Sequence, residues 1–267
     1  MASSFKHMTQ IGIIGECMLE LRRSNGAGTH DAVMATDLSY GGDTLNVSVY
    51  LARLGVSVDY ITALGDDAMS TWMVSQWRDE GIGCDWVSRQ PGGVPGLYLV
   101  EVDEHGERSF LYWRDGSPAT QLFDHLEQSN ELFQQLSSYP AIYLSGISLA
   151  LYDQIARERL FEFFRQYRQS GGRLIFDGNY RPRQWPDQAK ARRVYEAMYR
   201  LTDIALPTLD DEQLLFGDQT EQQVIQRLQS WGSQEIGLKK GADGCVVIDK
   251  EDSTRITADV VNQVVDT

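Results

Sequence analysis

The sequence predicts a doubly wound α/β fold on a mostly parallel sheet, with a small β lid projecting from it. Three observations carry that expectation. Short apolar runs ended by glycine alternate with segments of helical period. The spacing of successive runs suits parallel strands joined by crossover helices. One stretch near 95–115 alternates instead with the period of a strand, around a group of turn-forming residues.

Ile11 to Ile14 is an apolar run stopped by Gly15 and reads as a buried first strand. Thr44 to Leu54 places Val47, Leu51 and Leu54 on one helical face, and Gly55 stands where a left-handed cap is wanted. Val56 to Leu64 returns to strand. The lid hairpin follows, Pro95 to Val102 and Glu107 to Arg114, joined by Asp103-Glu104-His105-Gly106. Ala141 to Leu144 resumes the strand pattern. A helix follows with Leu160, Phe163, Phe164 and Tyr167 on one side, then Gly171-Gly172 and a strand over Arg173 to Phe176. Asp203 to Leu206, Glu235 to Leu238 and the run Cys245 to Ile248 continue the series. No long Pro/Gly/Ser linker and no internal repeat interrupts it, so the expected organisation is one domain over 8–267 with the hairpin inserted.

The totals narrow the function classes. A formal charge of −14 over 267 residues, without a basic stripe, argues against nucleic acid and anionic membranes as partners. No apolar run approaches the ~20 residues of a membrane span. Residues 1–10 lack the apolar core of a secretory signal, and Met8 stands just before the first strand as an alternative start; a cytoplasmic location is expected. Cys17, Cys84 and Cys245, odd in number and far apart, read as reduced packing residues rather than disulfide or zinc ligands.

Five segments carry chemistry. Gly41-Gly42-Asp43-Thr44-Leu45-Asn46 pairs two glycines with a helix start, whose free N–H groups face a ligand if the backbone approaches one; an ordinary glycine turn is the alternative. Strand parity puts Tyr98, Tyr112 and Arg114 on one face, two hydroxyls and a planar fork suited to a carboxylate, or else a half-buried hairpin with a solvated arginine. Asp177-Gly178-Asn179-Tyr180-Arg181 follows a strand, where parallel sheets place ligand loops; a salt bridge between Asp177 and Arg181 is the structural alternative. Asp210-Asp211-Glu212 follows a strand and opens a helix with acids that suit its dipole. Lys239-Lys240-Gly241-Ala242-Asp243-Gly244 is a nucleotide loop or a hairpin turn. Gly12-Ile13-Ile14-Gly15 lacks the third glycine of a dinucleotide fingerprint, which disfavours a dehydrogenase.

Taken with Gly55 and Gly65, the Gly41–Ser48 stretch resembles the first signature of the ribokinase family of carbohydrate kinases. Gly-Gly-Asp-Thr-Leu-Asn is similar to the branch that phosphorylates 2-keto-3-deoxygluconate. The resemblance implies a ribokinase-like fold, ATP as co-substrate with Mg²⁺, and transfer of the γ-phosphoryl group to the 6-hydroxyl of that sugar acid. It implies Gly42, Asp43, Asn46, Tyr98, Tyr112, Arg114 and Arg181 as substrate residues, and Asn179, Lys239, Gly241 and Gly244 beside the nucleotide. Asp177, Asp211 and Glu212 stand as candidates for the metal, with Thr208 or Leu209 where the family has asparagine. It further implies pairing of two copies through the lid. The second family signature begins Asp-Thr, and Val264-Val265-Asp266-Thr267 reaches it, so the catalytic aspartate is expected beyond Thr267. The 267 residues are then expected to lack the last part of the fold and to be inactive or nearly so. A fructokinase-like relative, or a non-catalytic sugar-acid or nucleotide-binding module, is the alternative. Arg114 favours the acid.

Overall fold

A computed structural model describes residues 10–23, 35–102, 108–250 and 252–260. The lid turn 103–107, Met8 and Val264 to Thr267 lie outside the described residues. The chain packs as two compact units, 10–139 with 151–159 and 140–150 with 160–260.

In the first unit, β1 (Gln10–Ile14), β2 (Met18–Arg23) and β3 (Thr36–Gly41) lead into α1 (Asp43–Arg53), β4 (Ser57–Gly65) and α2 (Ala68–Asp79). β5 (Val87–Gln90), β6 (Leu97–Val102), β7 (Arg108–Trp113) and α3 (Leu126–Leu136) complete it. β1, β4 and β5 run parallel, with Ile13 opposite Tyr60 and Thr62 opposite Val87. Nearly every residue of β4 is buried, as a strand covered on both faces requires. α1 ends at Gly55, which adopts a φ of +81° where a side chain is strained. Ile13, Ile14, Tyr60, Ile61 and Trp77 are fully enclosed, and Tyr60 meets Trp77 edge to face at 5.2 Å. Burial of each such side chain contributes roughly 1.5–3 kcal/mol.

The lid is larger than the hairpin that the sequence reveals. β6 and β7 form it, with Tyr98 opposite Tyr112, but β2 and β3 extend it to four strands in the order β3-β2-β6-β7. Glu20, Arg22 and Arg23 interrupt the apolar alternation of β2, and Thr36 to Tyr40 is largely exposed, which hid both strands.

The second unit holds β8 (Ala141–Ser145), α4 (Gly146–Leu151), most of α5 (Gln154–Gln169), β9 (Arg173–Asp177) and α6 (Gln188–Tyr199). β10 (Ile204–Ala205), α7 (Leu209–Phe216), α8 (Glu221–Ser230), β11 (Glu235–Lys239), β12 (Cys245–Asp249) and β13 (Asp252–Ile256) follow. β8, β9, β10 and β11 are parallel neighbours in that order, and β12 and β13 add antiparallel. The mostly parallel α/β class with a second, small sheet is therefore observed. No helix among the described residues is long and apolar enough to cross a membrane. Cys17 and Cys84 are buried, Cys245 is half-buried, and all three are free thiols.

Candidate functional site

The residues expected to meet the sugar acid, Arg181 apart, lie in the first unit. Gly42 caps α1 without a side chain to offer, at an extended φ that any residue can adopt. Its constraint is space: a Cβ there would stand 2.4 Å from the Glu16 carbonyl oxygen and 3.2 Å from Cys17 Cα. This glycine is therefore required by the protein's own backbone, whatever a ligand also demands. Asp43 follows as the acid of the first helical turn, half-buried, and Asn46 is exposed one turn on.

Strand parity holds for the tyrosines. The Tyr98 and Tyr112 rings lie 5.9 Å apart, and the Arg114 guanidinium carbon is 6.0 Å from the Tyr112 ring centroid. Tyr112 is half exposed, whereas the Tyr98 hydroxyl donates to Glu20 Oε2, and Arg22 bonds the other Glu20 oxygen at 2.7 Å. Burial, with that carboxylate, pushes the Tyr98 hydroxyl far above the usual tyrosine range.

Arg114 is not the solvated arginine that a hairpin edge suggests. Its side chain is 15% exposed and Nη2 donates to Glu16 Oε2. Glu16 is almost wholly enclosed, and its second oxygen accepts from Ser117 Oγ at 2.6 Å. Arg114 Nε is buried without a hydrogen-bond partner. Burial raises the Glu16 carboxyl above its ordinary value, while Arg114 and Ser117 draw it back. Sequence reasoning missed Glu16 and Glu20, because both partners of Glu16 and the Tyr98 hydroxyl on Glu20 stand far along the chain. Only the placement of Glu16 directly after the glycine that ends β1, where parallel sheets open their ligand loops, signals it.

The residues expected beside the nucleotide lie in the second unit, as does Arg181. The salt bridge considered between Asp177 and Arg181 is not formed. Lys239 Nζ bonds both Asp177 oxygens at 2.7 Å, Tyr143 donates to Asp177 at 3.3 Å, and Arg181 lies 3.6 Å from Asp211. Burial raises the Asp211 carboxyl, and Arg181 and Lys239 lower it while Asp177 raises it further, so these four groups share one field. Asn179 sits beside them at a φ of +38°. Gly241 and Gly244 bracket the single turn that joins β11 to β12, where Lys240 N–H donates to the Gly244 carbonyl at 2.8 Å.

Glu212 is a correction to the metal candidates. It is 1% exposed, with Oε1 bonded to the Tyr199 hydroxyl at 2.5 Å and Oε2 to Arg227 Nη2 at 2.8 Å. A carboxylate with both oxygens filled in the interior is scaffold. Asp177 and Asp211 remain, and they fit Mg²⁺, which takes one or two protein carboxylates and completes its shell with water and phosphate. No group of three or more acidic, histidine or cysteine side chains suited to a metal occurs among the described residues.

Residues 8–267 match the pfkB family carbohydrate kinases. The chain is 42% identical over 242 residues to a 2-dehydro-3-deoxygluconokinase of Escherichia coli K12, covering 89% of this chain and 75% of that protein. Among solved structures, a PfkB protein from Polaromonas sp. JS666 superposes with a TM-score of 0.82 at 24% identity, covering 95% of this chain and 84% of its own. An aminoimidazole riboside kinase from Salmonella enterica, complexed with aminoimidazole riboside and an ATP analog, gives 0.76 at 23%, covering 96% and 78%.

Proposed function

The chain belongs to the pfkB family of carbohydrate kinases and is an ATP-dependent sugar kinase, and from that premise we propose that it transfers the γ-phosphoryl group of ATP to the 6-hydroxyl of 2-keto-3-deoxygluconate. The observation that carries the acid is Arg114: a shielded guanidinium on the tyrosine face, with Nε unpartnered. A planar fork in a partly dry setting binds a carboxylate with two N–H groups and rejects a neutral sugar that leaves them unbonded.

In this reading Tyr98, Tyr112 and Arg114 orient the acid end, and Gly42, Asp43 and Asn46 hold hydroxyls at the helix start. Arg181, in the second unit, is kept as a substrate residue, and Asn179, Lys239, Gly241 and Gly244 meet the nucleotide there. Mg²⁺, when bound through Asp177 or Asp211 and phosphate oxygens, supplies charge neutralisation for the transferring group. The chain's own part is positioning and cationic stabilisation, on which such transfers chiefly depend. The general base is assigned to none of the described residues.

The opposite face of the small sheet carries the cross-strand row Leu38, Leu21, Leu99 and Leu111, of which Leu38 and Leu111 are exposed. That apolar row supports pairing of two copies through the lid, to be read by light scattering of wild type against Leu111→Lys. The activity is tested by coupled ADP release from MgATP with 2-keto-3-deoxygluconate and with fructose, and by phosphorus NMR of the product. On a chain carried on through the second family signature, the expected result is a kcat/KM for the acid at least about 100-fold above fructose, with phosphate on C6, and the 267 residues alone are expected to turn over at least about 100-fold more slowly. A preference for fructose, or phosphate on another carbon, overturns the proposal.

A further inference from the structure

The carboxylate that meets Arg114 is itself held in place. Glu16 stands two residues past the end of β1, and its carbonyl oxygen lies so close to Gly42 that a Cβ there would come within 2.4 Å. Its main chain is thus packed against the first turn of α1, the turn that carries Asp43 and Asn46. Its side chain is fixed as well, since Ser117 Oγ, itself buried, donates to Oε1 at 2.6 Å and Arg114 donates to Oε2. Arg114, by contrast, comes from the residue just after β7, at the end of the small sheet. The ion pair therefore ties the end of a lid strand to the floor beneath α1.

A long arginine at a strand end has large rotamer freedom, and ordering it at each binding event weakens affinity unless another group has ordered it first. A neutral hydrogen-bonding residue in place of Glu16 would order it less firmly, because bonds between two ions are the stronger kind. Glu16 fills only Nη2, Nε has no hydrogen-bond partner, and the side chain keeps 15% of its surface exposed, so the guanidinium retains N–H groups for a second anion. The neighbouring surface is the Tyr112 ring, 6.0 Å from the guanidinium carbon.

We propose that Glu16 is the positioning residue for the acid-binding guanidinium: it holds Nη2 of Arg114 and thereby presents the remaining N–H groups to the carboxylate of the sugar acid beside Tyr98 and Tyr112. The proposal rests on the reading of Arg114 as the anchor of that carboxylate. Glu16 acts through Arg114 and touches no reacting atom. It sets selectivity for acid over neutral sugar, and the other ligand-facing residues keep their places when it is changed.

Calorimetric titration of the protein with 2-keto-3-deoxygluconate and, separately, with fructose tests it, on Glu16→Ala, Glu16→Gln, Glu16→Asp and Arg114→Ala, with thermal midpoints recorded for each. Glu16→Ala is expected to weaken the acid by about tenfold or more while fructose changes by less than about twofold. Glu16→Gln keeps an oxygen for Nη2 and an amide for Ser117 Oγ, and is expected to restore acid affinity to within about threefold of wild type. Glu16→Asp keeps the charge but withdraws the carboxylate by one methylene. It carries the test if Glu16→Ala does not fold, with an expected selective loss of about fivefold. Equal losses for acid and fructose, or tighter binding of the acid, overturn the proposal. If Arg114→Ala weakens the acid selectively while the Glu16 variants do not, the positioning role alone is lost. If Arg114→Ala leaves the acid-to-fructose ratio unchanged, the reading of Arg114 falls first, and the role of Glu16 with it.

Discussion

Two carboxylates of the second unit, Glu212 and Asp177, look alike in the sequence and behave differently in the fold. Asp177 ends β9 and Glu212 lies in the first turn of the helix after β10, and each is paired with a cation. Glu212 is enclosed, and its partner Arg227 also bonds Asp218 at 2.5 Å and lies 4.0 Å from the Phe216 ring centroid and 4.7 Å from that of Trp231. Asp177 is 14% exposed, and its partner Lys239 is 42% exposed. Charge and position along the chain do not separate a framework pair from one that, on the proposed function, meets ligand. Solvent access and the ease with which the partner exchanges do. Removing a cation from the first kind costs stability, and removing it from the second costs ligand affinity.

The sharpest way to break this comparison is Arg227→Ala. It strands Glu212 and Asp218 without a cation, and the expected loss is about 3–5 kcal/mol of unfolding free energy. Lys239→Ala, in the same denaturant titration, is expected to shift stability by less than about 1 kcal/mol. Comparable losses for the two variants would erase the distinction between framework and ligand pair.

Arg114 lies between the extremes: it is as shielded as Arg227, and each has one buried nitrogen without a partner, Nε in the first and Nη1 in the second, but Arg114 stands beside the half-exposed Tyr112 ring. Arg114→Ala is expected to weaken the keto-deoxy acid by about 2–5 kcal/mol, far more than a neutral sugar. Calorimetry with both ligands decides. Equal losses would place Arg114 with Arg227, among the framework cations.

The same contrast explains what was legible in the sequence. β1, α1 and β4 follow from local apolar period and from Gly55, so each was placed to within one or two residues. The shared face of Tyr98, Tyr112 and Arg114 follows from parity within two neighbouring strands. Glu16 could not be read this way, because its partners stand about a hundred residues away and nothing local to it is periodic. Glu212 was legible as an acid at a helix start but not as a filled one, since Tyr199 and Arg227 reach it from two other helices. Local period reports which residues share a face. It does not report whether a charged group has already found all its partners.

A smaller effect sharpens the ligand side of the comparison. Lys239→Ala, nearly silent in stability, is expected to weaken MgATP binding by about tenfold, or ~1.4 kcal/mol, through loss of one charged contact to phosphate. Because Lys239 holds both Asp177 oxygens, the loss is expected to be partly offset as Asp177 becomes free for Mg²⁺. Nucleotide titration at low and at saturating Mg²⁺ separates the two contributions. A deficit that does not shrink as Mg²⁺ rises would show that Asp177 takes no part in metal binding.

The smallest expected effect concerns a carboxylate whose bonds come from uncharged donors. Asp67 caps α2, accepting from Met69 N–H at 2.8 Å, Ser70 N–H at 3.1 Å and Ser70 Oγ at 2.5 Å. Burial opposes its ionisation, but these bonds outweigh burial and hold its carboxyl below the ordinary aspartate value. A carboxylate lowered in the folded state stabilises at pH values above its unfolded pKa, near 4 on the ~3.9 of free aspartate, and that contribution is lost as pH falls through the folded value. Asp67→Ala is expected to cost about 1 kcal/mol at neutral pH, the usual worth of a helix cap. Asp67→Asn keeps an oxygen for the two N–H groups and should retain most of the stability, while its acid limb becomes shallower than that of wild type. Denaturant titrations of the three proteins between pH 3 and pH 7 decide it. If Asp67→Asn keeps the full acid dependence, the titration belongs to other carboxylates and Asp67 holds α2 by geometry alone, with no part for its charge.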